Sequence, residues 1–250
     1  MDLITSRRSW MLAPVATLAG LASIAAVWAA LEPAAVVRLF DMDGASPVEL
    51  MTLPLFALAV PLVWLCPPSS GPARRQCLWS ALWSVLAVMA IVRETDAHKV
   101  LFARIWPDVA ANFTGTVYKM RFLEADGIPV APKLFVAVFF ALFFVSAAVP
   151  LVRYAIPLVK GFFRLEPVAW TMACFGAVSV MVLVVDRLPA KLRHAGVSMS
   201  DGSLAMLTAF EEGGEMLMAL LALLAALQSH LVFARGCARS LPGSGPDNMV

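Results

Sequence analysis

The sequence predicts an all-α fold: one polytopic membrane bundle of six transmembrane helices, with both termini in the cytoplasm. Composition is the first reason. Of 250 residues, 61% are hydrophobic and 14% charged, with a mean hydropathy of +0.83. Soluble domains run at about 45–50% apolar and about 25% charged, so lipid has to serve as solvent for much of this chain. The second reason is six apolar segments, 11–31, 50–66, 77–96, 134–152, 167–185 and 208–230. Each approaches the about 20 residues that a roughly 30 Å hydrocarbon core requires. The third is the placement of Lys and Arg at the segment ends. A net charge of +2 and a pI of about 8.4 are too mild for a nucleic-acid partner. No polar stretch is long enough for a separate soluble domain, so residues 1–250 form one membrane domain.

Arg7 and Arg8 precede the first segment. Together with Ser6 and Ser9 they look like a twin-arginine export signal, but an apolar run of 21 residues is long for one and reads as an ordinary first helix. In the following outer loop, Ser46 suits an N-cap, Pro47 the first helical position and Glu49 the third, which starts the second segment. Asp43 beside Gly44 reads as a turn. Arg74 and Arg75 follow the second segment, Arg153, Lys160 and Arg164 the fourth, and Arg235 and Arg239 the sixth. That bias puts these ends inside. Cys66, Cys77 and Cys237 fall on the same side and Cys174 within the fifth segment, so no disulfide is expected. Residues 100–133 form an outer interfacial segment in which Trp106, Phe113, Tyr118, Lys119 and Arg121 suit headgroup contact. A short tail, 234–250, closes the chain. The two halves share no internal repeat.

Polar groups are forced into the membrane at two places. The third apolar run, 77–92, spans only about 24 Å, so the helix either thins the bilayer locally or draws Arg93, Glu94, Thr95 and Asp96 into its outer edge. A continuing helix pairs Glu94 with His98 at i, i+4, Arg93 with Asp96 and Asp96 with Lys99. The sixth segment carries Glu211, Glu212, Gly213, Gly214 and Glu215. Either Gln228, Ser229 and His230 occupy the cytoplasmic interface and all three glutamates sink into the outer leaflet, or the core starts at Glu215 and Thr208 to Glu211 is a capping box. The two glycines suit close approach of a helix or ligand. With Asp186 at the end of the fifth segment, the ionisable groups Glu49, Glu94, Asp96, His98, Asp186, Glu211, Glu212 and Glu215 share one membrane face. The opposite face has no such cluster. Glu94, Asp96, His98, Asp186, Glu211, Glu212 and Glu215 are therefore the candidate catalytic residues. Glu94, His98 and Glu215 are the candidate ligands of a divalent metal ion.

The succession Asp43-Gly44…Glu49, then Arg93-Glu94-Thr95-Asp96-Ala97-His98-Lys99, then Glu211 to Glu215 resembles a group of uncharacterised bacterial inner-membrane proteins. The resemblance implies a shared fold and carries no activity. The arrangement is also similar in outline to ceramidase-like intramembrane hydrolases, but lacks their further histidines and a Ser-x-x-x-His element. No phosphate-binding loop, dinucleotide fingerprint, haem-binding cysteine pair or nucleophile elbow is present. Three functions fit: a metal-assisted enzyme acting on a lipid or lipid-linked substrate, a cation- or proton-coupled transporter or channel, and a non-catalytic subunit or assembly factor of an envelope complex. Membrane lipids, and a lipid substrate or membrane-protein partner, are the expected partners.

Reporter fusions after Arg75, Arg164 and Arg239 are expected to read cytoplasmic, and fusions at Asp126 and Asp201 periplasmic. A reversed reading at any of them would invert the face assigned to the acidic cluster.

Overall fold

The computed structural model describes residues 9–41, 46–65, 73–95, 97–112 and 120–239. All regular structure there is helical. A 3-10 turn, Ser9–Met11, leads into α1 (Leu12–Ala30). Then follow α2 (Pro33–Phe40), α3 (Pro47–Leu65), α4 (Ala73–Glu94), α5 (Ala97–Ile105), α6 (Pro107–Asn112), α7 (Met120–Glu124), α8 (Val130–Phe163), α9 (Pro167–His194) and α10 (Asp201–Arg239). Among the described residues, four stretches are long and apolar enough to cross a membrane: Ser9–Ala30, Pro47–Leu65, Val130–Phe163 and Pro167–His194. The third expected span has only the shorter apolar stretch Trp83–Val92, and the sixth carries three glutamates inside its helix.

Helix α10 is the axis of the bundle and packs against α9, α3, α1 and α2. Between lipid tails as apolar as leucine, helices associate through close van der Waals contact rather than through burial from water. Backbone approach is therefore what counts. A Cβ on Gly213 would lie 2.7 Å from Ile24 Cδ1 and 3.1 Å from Phe40 Cε1, and one on Gly214 would lie 2.5 Å from Val182 Cγ2. The glycine pair thus lets α1 and α2 close on one side of α10 and α9 on the other. On the first side Ile24, Val36, Phe40, Val48, Ala205 and Ala209 form a buried cluster. On the second, Ala13, Val178, Val182, Leu217 and Leu221 do so.

Helices α9 and α10 run antiparallel, and two contacts give their register. Val182 meets Gly214, and Thr171 Oγ1 donates to Gln228 Oε1 at 2.7 Å. At the opposite end Trp28 Nε1 donates to the carbonyl of Gly202 at 3.2 Å, which ties α1 to the start of α10. Helices α3 and α4 are tied by Ser80 Oγ donating to Val63 O at 3.0 Å and Trp64 Nε1 donating to Ser84 Oγ at 2.8 Å.

Several boundaries differ from expectation for identifiable reasons. The sixth helix starts at Asp201, where Ser200 Oγ accepts the Ser203 N–H at 3.2 Å as an N-cap. Thr208 to Glu211 therefore lies inside the helix and is no capping box. The fourth helix runs on past residue 152 to Phe163, because a proline within a membrane helix is tolerated where its surroundings satisfy the backbone. It ends with Leu165 at φ 58°, the Glu166 N–H bonding to Gly161 O and the Leu165 N–H to Phe162 O. This is a Schellman turn with leucine where glycine is usual. Glycine does occupy the corresponding place after α9, at Gly196 with φ 76°. The segment expected at the outer interface holds most of α5 and all of α6 and α7, packed on the start of α8 by Phe102, Phe122 and Val136 with Trp106 and Phe135 against them. Trp106 thus serves an aromatic cluster. Arg7, Arg8, Asp43, Gly44, Cys66, Phe113, Tyr118, Lys119 and the tail from residue 240 lie outside the described residues.

The Gly214 contact can be tested directly. Val182 is β-branched and stiff at χ1, so Gly214→Ala is expected to cost about 1–3 kcal/mol by overpacking, read as a lower thermal midpoint in detergent. The double variant Val182→Ala, Gly214→Ala should recover most of the loss.

Candidate functional site

The site begins at the short α2. Pro33 occupies its first turn after Glu32, where a missing N–H costs nothing. Val36 and Phe40 share one face at i, i+4 and bury it against Ile24 and Ala209. The helix closes with the Asp41 N–H bonded to Val37 O at 2.7 Å. The chain then reaches Ser46, which is fully buried. Its Oγ donates to Phe40 O at 2.8 Å and accepts the Glu49 N–H at 3.1 Å, while Glu49 Oε2 accepts the Ser46 N–H at 2.9 Å. This reciprocal pair is a capping box, with Pro47 at the first helical position as the sequence implies. It also clamps the end of α2 to the start of α3, so Asp41 and Glu49 arrive together beside α10.

Facing them, α10 presents Glu211, Glu212 and Glu215 within one turn. Glu212 is half-buried and Glu215 only 3% exposed. The carboxylates of Glu215, Glu211, Glu49 and Asp41 all act electrostatically on Glu212. Like charges one turn apart cost a helix a few tenths of a kcal/mol per pair. Folding stability alone does not favour this arrangement.

Among the described residues, the structure brings part of the expected cluster together. Glu49, Glu211, Glu212 and Glu215 converge. Asp41 joins them because α2 folds back against α10, and the sequence signal for that was Glu32-Pro33 followed by the Val36 and Phe40 spacing. The α9–α10 register puts Asp186 near the height of Glu211, but its side chain is exposed and is not among the groups acting on Glu212. Glu94 and His98 do not share one continuous helix, since α4 ends at Glu94 and α5 starts at Ala97. Thr95 closes α4 by bonding back to Ile91 O through both its N–H, at 3.0 Å, and its Oγ1, at 2.8 Å. Helix α4 packs on α3 and α8, and α3 packs in turn on α10. The side chains of Arg93, Glu94, His98 and Lys99, and all of Asp96, lie outside the described residues.

The two glycines beside the acids receive Ile24, Phe40 and Val182, so their close approach serves helices rather than a ligand. Among the described residues, no three His, Cys, Asp or Glu side chains come together at the spacing of a metal site. Comparison with protein-family models, curated proteins and solved structures finds no match for the chain.

The capping reading of Glu49 has a direct check. Glu49→Gln keeps an acceptor for the Ser46 N–H and is expected to unfold near the wild-type temperature. Glu49→Ala removes it and should cost roughly 0.5–2 kcal/mol, read from thermal unfolding in detergent.

Proposed function

We propose that the chain is a six-span protein of the bacterial inner membrane, with both termini cytoplasmic, whose acidic group holds a divalent cation. The cation would assist a hydrolase or transferase reaction on a lipid or lipid-linked substrate. One observation carries this reading: the carboxylates of Glu215, Glu211, Glu49 and Asp41 all lie within electrostatic reach of a half-buried Glu212. Concentrated negative potential in a poorly solvated place favours a cation strongly. A bound divalent ion polarises an ester or phosphoryl oxygen and lowers the pKa of its water. Glu212 and Glu215 are the central acids in this reading. Glu94 and His98, at the α4–α5 corner, are the additional ligands it calls for. The location supports a lipid or lipid-linked substrate, at the height where charge first returns on α9 with Asp186 and Arg187.

Passage of a proton or cation across the membrane has less support. From Glu215 the next buried polar side chain on α10 is Gln228, about 20 Å further along at 1.5 Å per residue. The seam between them is filled by Leu217 and Leu221 against Val178 and Ala13. An apolar interval of that length suits a one-sided site.

The test uses chelator-treated full-length protein in detergent, titrated with Mg2+, Mn2+, Ca2+ or Zn2+. A ligand at a hundred times its Kd stabilises by about 2.7 kcal/mol, so one of these ions should raise the thermal midpoint clearly. Glu212→Gln and Glu215→Gln should abolish the rise while leaving the cation-free protein folded. His98→Ala, compared for metal content, decides whether the α4–α5 corner contributes. Unchanged metal content together with lost stability in all three variants would make the cluster a structural brace.

A further inference from the structure

Helix α8 is too long for the membrane it crosses. Its 34 residues span about 51 Å, against a hydrocarbon core of roughly 30 Å. The excess at its C-terminal end has three different faces. One packs on α9, where Gly161 meets Ala169 and Phe162 stacks on Trp170 with ring centroids 4.2 Å apart. Trp170 in turn meets Trp10 at 4.9 Å, and tryptophans gathered in this way mark a membrane–water boundary. The second face is apolar and open, with Val152 77%, Ile156 67% and Phe163 80% exposed. The third is basic. Arg153, Lys160 and Arg164 are all exposed, and spacings of seven and four residues bring them within about 40° of one another around the helix axis. Glu166, the carboxylate of the hairpin, leans over Gly161 on the α9 side and not over this stripe.

We infer that the stripe binds the phosphate of an anionic glycerophospholipid in the surrounding leaflet. The apolar face beside it accommodates the acyl chains, and the basic side chains reach the headgroup by extending along the helix. Charge complementarity selects this occupant. A neutral lipid would leave three cations at the membrane boundary uncompensated, whereas each Lys or Arg beside an anionic lipid surface gains about 1 kcal/mol, or about fivefold in retention. Arg153 lies deepest, about 10 Å along the helix from Lys160, and that depth draws the phosphate towards the protein. The inference rests on the chain crossing a membrane and is independent of cation binding at Glu212.

Reconstitution in vesicles of equal phosphatidylcholine and phosphatidylglycerol, followed by extraction in mild detergent with a chelator present, provides the test. Mass spectrometry of co-purifying lipid should find phosphatidylglycerol enriched. Lys160→Gln alone should lower the enrichment about fivefold, and R153Q/K160Q/R164Q should abolish it. R153K/R164K preserves charge and should keep the enrichment, which separates lost binding from lost folding. Bulk lipid ratios in the wild type would overturn the inference, as would enrichment that survives in the triple variant. So would displacement of the lipid by inorganic phosphate at matched concentration. A changed oligomeric state in the triple variant with unaltered lipid would assign the face to a second copy instead.

Discussion

Every layer of this molecule depends on how near α10 comes to its neighbours. At Gly213 and Gly214 the helix has no side chain, and Ile24, Phe40 and Val182 occupy the room where Cβ atoms would be. Two glycines in a helix interior cost roughly 1 kcal/mol each relative to alanine. Lipid gives no solvent-driven attraction to offset that, so the return comes from dense packing on both sides of one turn. Glutamates on that same turn are then carried into the bundle, and the depth of Glu215 follows from the packing of its glycine neighbours.

A second constraint acts at right angles to the first. The buried hydroxyl of Ser46 serves α2 as a donor to Phe40 O and α3 as an acceptor from the Glu49 N–H. One side chain thus makes a corner out of two helix ends, and both ends carry acids. Glu49 is committed in part to the cap through Oε2, whereas Glu212 lies in mid-helix on α10, away from any helix end. Within the group, Glu49 and Asp41 stand at the α2–α3 corner, and Glu212 and Glu215 on α10, with Glu215 the more deeply buried of that pair.

Much of this was legible beforehand. Apolar length foretold the long helices, and the Ser46-Pro47-Val48-Glu49 run foretold the capping box because its signal is local. Gly213 and Gly214 were readable as points of close approach, but what approaches them was not, since Val182 and Ile24 lie on helices distant in the chain. Helix ends were the weakest part. The hydrophobic run of the fourth segment stops at Val152 while its helix goes on to Phe163, because backbone hydrogen bonding does not end where hydropathy does. Residues Pro33 to Phe40 read as a loop, being too short to cross a bilayer, yet their i, i+4 apolar pair was enough for a helix that lies against others. The pairing of Glu94 with His98 assumed one uninterrupted helix. Thr95 ends it by turning its hydroxyl back on Ile91 O, a competition that hydroxyl side chains commonly bring to helix ends.

The contact between Thr171 and Gln228 has a consequence for the height of one helix against another. Thr171 Oγ1 lies 3.0 Å from Pro167 O and 2.7 Å from Gln228 Oε1, and a hydroxyl has a single proton to give. Gln228 is fully buried, and its Nε2 has no hydrogen-bond partner among the described residues. An amide in hydrocarbon loses several kcal/mol when it bonds to nothing, so even one bond per side chain sets α9 and α10 apart from a pair of smooth apolar rods. Sliding one helix past the other would strand the buried Gln228, while Thr171 would keep only the Pro167 carbonyl of its own helix. The two helices are adjacent in the chain. In the folded bundle this bond therefore fixes the height of α10 against α9, where apolar packing alone would leave it freer to slide.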